Sequence, residues 1–534
     1  MIFVMLEILI KNPILILFVI IALGYVIGRV RIGNFSLGVA GALFAGIAIS
    51  AWEPKLALPP LVYTLGLVIF VYTTGLALGP TFFATLRKTG VRDNLFTLGV
   101  LIVGVVLAFA AAKYFSIEPG LATGMYTGTF TVTPALAGVL DAMNHSSATP
   151  VVGYSLAYPF SIIVSLILLA LFRKIWKVDQ QEDASEDTAL NSHTVRYTRE
   201  EPCAVHDVGE LSGATISVSR LSKKGKLRIA KSTDVIEKDS LVTIVGTQNQ
   251  CQKAAKWMGE VAEDAKLELE NTQLGFRRVF ISNNDLAGLS IAKLQLDKKF
   301  NVIVTRLRRG DVDMVAHDNL VVEPGDRLRI VGARENIKKA SAHLGDSYKH
   351  SSQMNIFTFT LGMCLGIGLG LIPIPLPGGH VFQLGAAGGT IVVALILGAM
   401  RRTGRLVWQI PYSTNLALRQ LGVVIFLAGV GSQAGSSLIE ALADPKSYIL
   451  MALSVAIAII VCVAMILVGH KLLKIPFSRL SGMLAAMNTQ PATLAFANDQ
   501  TKTDQANIGY ASVYPMALVA KIILAQALLI LLAL

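Results

Sequence analysis

The sequence predicts an α-helical polytopic membrane protein: two inverted repeats, each of about five transmembrane helices plus a re-entrant hairpin, flanking an α+β cytoplasmic insert of two small modules. Three observations carry that reading. The composition is 53% hydrophobic and only 15% charged, with a mean hydropathy of +0.59. One motif is written twice: GMYTGTFTVTPAL from Gly124 with GYSLAYP at 153–159, and GMLAAMNTQPATL from Gly482 with GYASVYP at 509–515. Between the copies lies a polar stretch, 175–352, that is itself repeated.

A spanning helix needs about 20 mostly apolar residues. Apolar segments fall near 12–29, 36–51, 60–80, 94–115, 118–141 and 150–173, with counterparts near 354–372, 381–400, 414–434, 447–470, 479–497 and 507–534. The opening, MIFVMLEILIKNPILILFVIIALGYVIG, has neither a basic leader nor a clear small-residue cleavage site and reads as a retained first helix. The repeat extends beyond the motif. LGLVIFVYTTGLALG (65–79) lies over LGVVIFLAGVGSQAG (421–435) at an offset of 356, and LGVAGA (37–42) resembles LGAAGG (384–389). Gly66, Gly75 and Gly79, with Gly422, Gly431 and Gly435, have the small-xxx-small spacing of close helix packing.

Basic residues set the orientation. Clusters occur at Arg29/Arg31, Arg87/Lys88/Arg92 and Arg173/Lys174/Lys177. Six crossings in the first half would put them on different sides. If 118–141 enters and leaves on one face, five crossings remain and every cluster faces the cytoplasm. The same scheme places Arg401/Arg402/Arg405 and Lys471/Lys474/Arg479 inside, with Glu440, Asp444 and both termini outside. An odd number of crossings per half inverts the repeats, the symmetry that alternating access uses. The competing arrangement has unbroken helices at 118–141 and 479–497 in a parallel repeat. The expected location is a bacterial inner membrane, with 175–352 cytoplasmic.

The insert begins with an acidic, linker-like stretch, DQQEDASEDTALNSHT. Then VIEKDSLVTIVGTQNQCQKAAKWMG (235–259) lies over VVEPGDRLRIVGARENIKKASAHLG (321–345), each a turn, an alternating strand and an amphipathic helix. The expected domains are repeat 1 at 1–175, linker 176–198, module 1 at 199–265, module 2 at 270–350 and repeat 2 at 351–534.

The net charge of +12 follows from cytoplasmic loops and does not call for nucleic acid. Four scattered cysteines without a CxxC suggest neither disulfides nor a metal site. GVGSQAG at Gly429 has the wrong glycine spacing for a nucleotide fingerprint, and no Walker, zinc or nucleophile-elbow motif occurs. No catalytic residue, metal or cofactor is expected.

The chemistry concentrates at the doubled motif. In hydrocarbon every freed backbone group needs a partner, so Thr-Val-Thr-Pro and Asn-Thr-Gln-Pro breaks survive only inside protein or beside a water-filled cavity. Paired breaks point to a transporter's binding site. Pro134 and Pro491 are expected to push Thr133 and Gln490 out of helical geometry. Thr129, Thr131 and Thr133 add hydroxyls; Asn488, Thr489, Gln490 and Thr493 add amides and hydroxyls. With unpaired N–H groups at helix ends, these neutral groups suit a carboxylate or zwitterion better than a bare metal cation. The alternative is that they satisfy backbone carbonyls around a proline kink. In the next helix Tyr154, Tyr158, Ser161 and Ser165 share one face; its counterpart carries Tyr510, Tyr514, Ala517 and Lys521. A lysine within so apolar a run is a functional candidate. Lys521 is expected to pair with a substrate carboxylate; the alternatives are snorkelling or a buried acid.

Together, the opening LGYVIGRVRIGNFSLGVAG (23–41), the doubled Pro-containing hairpins, the paired GYxxxYP stretches and the two-module insert resemble the aspartate:alanine exchanger family of bacterial secondary transporters. The modules resemble the C-terminal lobe of potassium-transport regulators (RCK/TrkA-C). The resemblance implies antiport of a dicarboxylate for a smaller acid, typically aspartate in and alanine out, coupled to intracellular decarboxylation. Relatives that export succinate make a dicarboxylate exporter the alternative. The insert has no GxGxxG lobe, which removes the usual dinucleotide site and leaves a regulatory ligand on the modules open. Such lobes commonly pair, so a homodimer in membrane lipid is expected. The readings from other classes are a ligand-gated ion channel or potassium transporter regulated by the modules, without a TVGYG filter, and a solute sensor.

Overall fold

The computed structural model describes residues 2–32, 35–36, 38–87, 90–143, 147–176, 190–223, 226–231, 233–262, 274–310, 312–347, 353–375, 381–382, 384–490, 493–494, 496–498 and 505–533. Lys88, Lys177 and Pro491 lie outside the described residues. The chain forms two compact units, one of 1–184, 360–400 and 416–534, the other of 185–359 and 401–415.

In the first unit the first half supplies α1 (Ile2–Lys11), α2 (Pro13–Arg29), α3 (Gly41–Trp52), α4 (Pro60–Arg87), α5 (Val91–Tyr114), α6 (Pro119–Thr129), α7 (Thr133–Ala142) and α8 (Thr149–Trp176). Among the described residues, six helices are long and apolar enough to span a membrane, and the 13–29, 41–52, 356–370 and 385–400 helices are shorter apolar ones. The expected unbroken alternative at 118–141 does not form: α6 stops at Thr129 and α7 restarts at Thr133. A Cβ on Gly120, at the start of α6, would meet both Met143, just past α7, and Thr149, the first residue of α8. The chain therefore goes in and comes back to the same level. Arms of 11 and 10 residues reach about 16 Å, roughly half of a ~30 Å hydrocarbon core.

The glycines pack the two halves against each other with a common rule. Added Cβ atoms on Gly66 and Gly422 would each come within 2.7 Å of a backbone nitrogen of the other helix, at Phe426 and Phe70 respectively. Tyr63 meets Gly429, Gly66 meets Phe426 and Phe70 meets Gly422, so these two equivalent helices run antiparallel.

In the second unit β1 (Leu190–Tyr197), β2 (Ser217–Lys223), β3 (Lys226–Ile229), β4 (Leu241–Thr247) and β5 (Gly259–Val261) form an antiparallel sheet of order β3-β2-β4-β1-β5, with α9 (Gln248–Met258). A second sheet, β8-β7-β9-β6, comes from β6 (Leu274–Phe280), β7 (Ile303–Arg309), β8 (Val312–Val315) and β9 (Arg327–Ala333), with α10 (Arg334–Leu344). The strand order is the same apart from the added β5. Even the bulge recurs, at Val218/Arg220 and Val304/Arg306.

Two expected boundaries are corrected. Leu190–Tyr197, assigned to the linker, is the first strand of its sheet, because buried Val195 and Tyr197 give it a core face. Residues 401–415, assigned to repeat 2, belong to the second unit. There Arg402–Thr403 pairs with Leu406–Val407, the Arg402 guanidinium donates to the Asp285 and Ala287 carbonyls, and Gln409 donates to Glu323 at 3.0 Å. Glu323 and Asp326 also bind Arg309, at 2.6 and 2.7 Å. Burial raises both carboxyl pKa values while Arg309 pulls them back.

The second half supplies α11 (Ile356–Gly370), α12 (Gly385–Met400), α13 (Tyr412–Ala443), α14 (Pro445–Leu467), α15 (Phe477–Met487) and α16 (Gln505–Ala533). Asp444 starts α14 as an N-cap, accepting from Lys446 N–H at 3.0 Å with Pro445 in the first turn.

Candidate functional site

Each hairpin turns on one threonine held in the left-handed region, Thr131 at φ 48° and Thr489 at φ 47°. The surrounding backbone bonds match one for one. Thr131 N–H and Val132 N–H donate to the Gly128 and Thr127 carbonyls; Thr489 N–H and Gln490 N–H donate to those of Ala486 and Ala485. A non-glycine residue with positive φ costs roughly 1–3 kcal/mol and persists only where its surroundings fix it. Gln490 lies outside any helix, as its proline leads one to expect, whereas in the first copy the bend lies ahead of the expected residue. In the first copy Thr133 is already helical and Pro134 sits in the first turn of α7, where no N–H is missed. The first copy carries one more residue between turn and proline than the second.

What holds the two turns is the other turn. Thr131 Oγ1 donates to the Asn488 carbonyl, and Thr489 Oγ1 donates to the carbonyls of Thr131 at 2.9 Å and Phe130 at 3.4 Å. The alternative that these hydroxyls satisfy backbone carbonyls is thus part of the answer, but the carbonyls belong to the opposite hairpin.

Lys521 closes the constellation. Its side chain is fully buried, and its ammonium donates to the Met487 carbonyl at 2.5 Å, the Phe130 carbonyl at 3.4 Å and Thr489 Oγ1 at 3.3 Å. Met487 ends α15 and Phe130 caps α6, so the cation lies at the negative ends of both first arms. No carboxylate contacts it among the described residues, so neither a buried acid nor snorkelling explains its position.

The other expected residues arrange around this centre. Asn488 Nδ2 donates to Ser165 Oγ at 2.8 Å and approaches Cys462 Sγ at 3.7 Å. Tyr158 hydrogen-bonds Gln490, crossing from the first half to the second, and Tyr154 OH bonds Thr133 Oγ1 at 3.1 Å. Thr129 Oγ1 instead turns back to the Met125 carbonyl, and its own carbonyl accepts from Ser161. Thr493 is buried with no hydrogen-bond partner for its hydroxyl among the described residues. Tyr510 and Tyr514 stack on each other at 4.8 Å, and the hydrogen bonds of Lys521 go to Met487, Phe130 and Thr489 instead. Cys462 was not foreseen; a thiol in an apolar helix carries no sequence signal for the face it presents.

The second hairpin is anchored at its base. Asp93, buried in α5, accepts from Arg479 at 2.7 Å and pairs with Arg92 at 3.2 Å. A buried carboxylate needs such partners.

Comparison with known proteins gives a consistent picture. The predicted permease membrane region family (Asp-Al_Ex) matches residues 16–174 and 358–530, and the TrkA-C domain matches 276–345. An uncharacterized transporter of Geobacter sulfurreducens is 41% identical over 98% of this chain and 99% of its own. Uncharacterized transporters of Symbiobacterium thermophilum and Corynebacterium glutamicum are 40% and 39% identical, each over 98% of this chain and 98% and 99% of their own lengths. The crystal structure of the GsuK RCK domain aligns at a TM-score of 0.15 and 10% identity, over 30% of this chain and 64% of that one, too low to carry an argument.

Proposed function

This chain belongs to the predicted permease membrane region family (Asp-Al_Ex), and from that premise we propose that it is a secondary exchanger of an acidic amino acid or C4 dicarboxylate for a smaller acid. In its most specific form the reading is aspartate in and alanine out, by alternating access. One observation carries it: a fully buried lysine, with no acid partner among the described residues, joins the tips of two matching hairpins.

The physical argument is one of exchange at Lys521. Backbone carbonyls at two helix ends offer an ammonium only partial charges. A substrate carboxylate offers a full one, and charge-assisted hydrogen bonds are roughly twice as strong as neutral ones. Entry of the carboxylate between the tips would draw Lys521 off the Met487 and Phe130 carbonyls and part Thr131 from Asn488. Freed hydroxyls and amides of Thr131, Asn488, Thr489 and Gln490 would then receive the substrate's other polar groups. The substrate thereby replaces the contacts that join the halves, which lets one move against the other.

The antiparallel packing of Gly66 against Gly422 supports inverted repeats, with one hairpin entering from each side of a bacterial inner membrane. The matching strand orders support two TrkA-C-like modules on the cytoplasmic side, and their tendency to pair supports a homodimer. An aspartate monoanion exchanged for zwitterionic alanine moves net charge, and intracellular decarboxylation consumes a proton, so transport plus metabolism would store a proton-motive force.

The test is counterflow in proteoliposomes preloaded with alanine, aspartate, succinate or nothing, following labelled aspartate. Uptake that requires a loaded amino acid is the expected result. Stimulation by internal succinate alone would reassign the chain as a dicarboxylate exporter, and uptake indifferent to the lumen would refute exchange.

A further inference from the structure

The second unit carries a separate concentration of positive charge. On the sheet face turned away from α10, arginines stand directly opposite one another across three strands: Arg278 opposite Arg329, and Arg329 opposite Arg306. In the next row Arg327 faces Arg308. Like charges paired across strands destabilise a sheet, so this lattice works against the fold that bears it. Two members are partly offset by stacking, Arg329 over Phe276 at 4.3 Å and Arg327 over Phe280 at 4.7 Å. The repulsion remains. Burial and then the Arg306, Arg278 and Arg220 guanidiniums lower the Arg329 pKa, and Arg329 Nε is buried with no hydrogen-bond partner among the described residues.

This face opens into a cavity of about 700 Å³ between the two modules, where β2 lies against β7. Arg220, Arg277, Arg306, Arg329 and Arg334 line it, and among the described residues every other lining side chain is neutral. Arg220 and Arg306 occupy the same position after the bulge in their respective modules, so the duplication delivers a guanidinium from each side. Arg306 is fixed by donating to the Leu190 carbonyl at 2.7 Å.

We propose that this cleft binds a compact solute carrying several phosphate groups. Guanidiniums recognise phosphate oxygens through paired N–H donors. Arg277 is paired with Asp346 at 2.7 Å, and the four others in the cleft require more negative charge than a dicarboxylate brings; a chain of phosphates can engage several at once. The site does not depend on the exchange reading, since none of its residues lies in the membrane unit.

The experiment is isothermal titration of the purified full chain with inorganic tripolyphosphate, against succinate and sulfate at matched ionic strength. Saturable binding of tripolyphosphate is expected, with succinate and sulfate at least about tenfold weaker. Arg329→Gln and Arg220→Gln, both lining the cleft and each within the other's field, should each weaken it by about tenfold, the effect of losing one charge-assisted hydrogen bond. Thermal unfolding without ligand separates a site from a structural cluster. Both variants should melt no lower than the parent, because each removes a repulsion. No saturable binding, equal binding of succinate or sulfate, unchanged affinity in both variants, or a lowered unliganded melting temperature in both would overturn the proposal.

Discussion

Ser161 and Ser165 in the first half and Ala517 and Lys521 in the second stand at equivalent helix positions, yet the work is divided differently. In the first half Ser161 satisfies the Thr129 carbonyl and Ser165 accepts from Asn488. In the second, Lys521 alone reaches Met487, the counterpart of Thr129, and extends across to Phe130. The φ angles of the two turning threonines agree to within a degree, while the charge differs between the halves. Duplication supplies a pair of matching hairpins; on the proposed exchange reading, Lys521 is what would give that frame a preference for anions.

Lys521→Ala removes the asymmetry and should have the largest effect. Aspartate counterflow is expected to fall by about a hundredfold, the scale for truncating one partner of a buried charge pair, with the melting temperature showing whether the fold survives. Next, moving the cation tests whether the positions are equivalent. Ser165→Lys combined with Lys521→Ser should recover part of the counterflow lost in Lys521→Ser alone, because a lysine at 165 would find the Thr129 and Asn488 carbonyls where Lys521 finds Met487 and Phe130. Third, Gly66→Ala and Gly422→Ala should destabilise by similar amounts, roughly 1–3 kcal/mol in thermal unfolding, since each added methyl meets backbone. Unequal losses would break the two-fold relation. The smallest effects belong to the turns: Thr131→Val and Thr489→Val should each weaken counterflow by about fivefold, the scale of one net hydrogen bond.

Much of this arrangement is legible in the sequence because it is written twice. A proline motif repeated at a nearly constant offset, and a glycine pattern repeated with it, announce paired breaks and close packing without coordinates. The turn itself is not legible. The proline rule points to Thr133 and Gln490, but the left-handed residue is fixed by hydrogen bonds from the opposite hairpin, a contact 358 residues away between Thr489 and Thr131. Residues 401–415 escape for a related reason. A ribbon between two apolar helices reads as a cytoplasmic loop, and only its buried Trp408 and the bonds of Arg402 and Gln409 reveal its place in the second unit. The β1 strand is obscured by the acidic stretch before it, because two buried side chains are a weak signal.

The central claim is that Lys521 exchanges backbone carbonyls for a substrate carboxylate. Equilibrium binding of labelled aspartate to the purified protein tests it without the transport cycle. Saturable binding to the parent that is lost in Lys521→Ala, at an unchanged melting temperature, is the predicted result. Equal affinity in the two proteins would contradict it and leave Lys521 as a tie between helix ends.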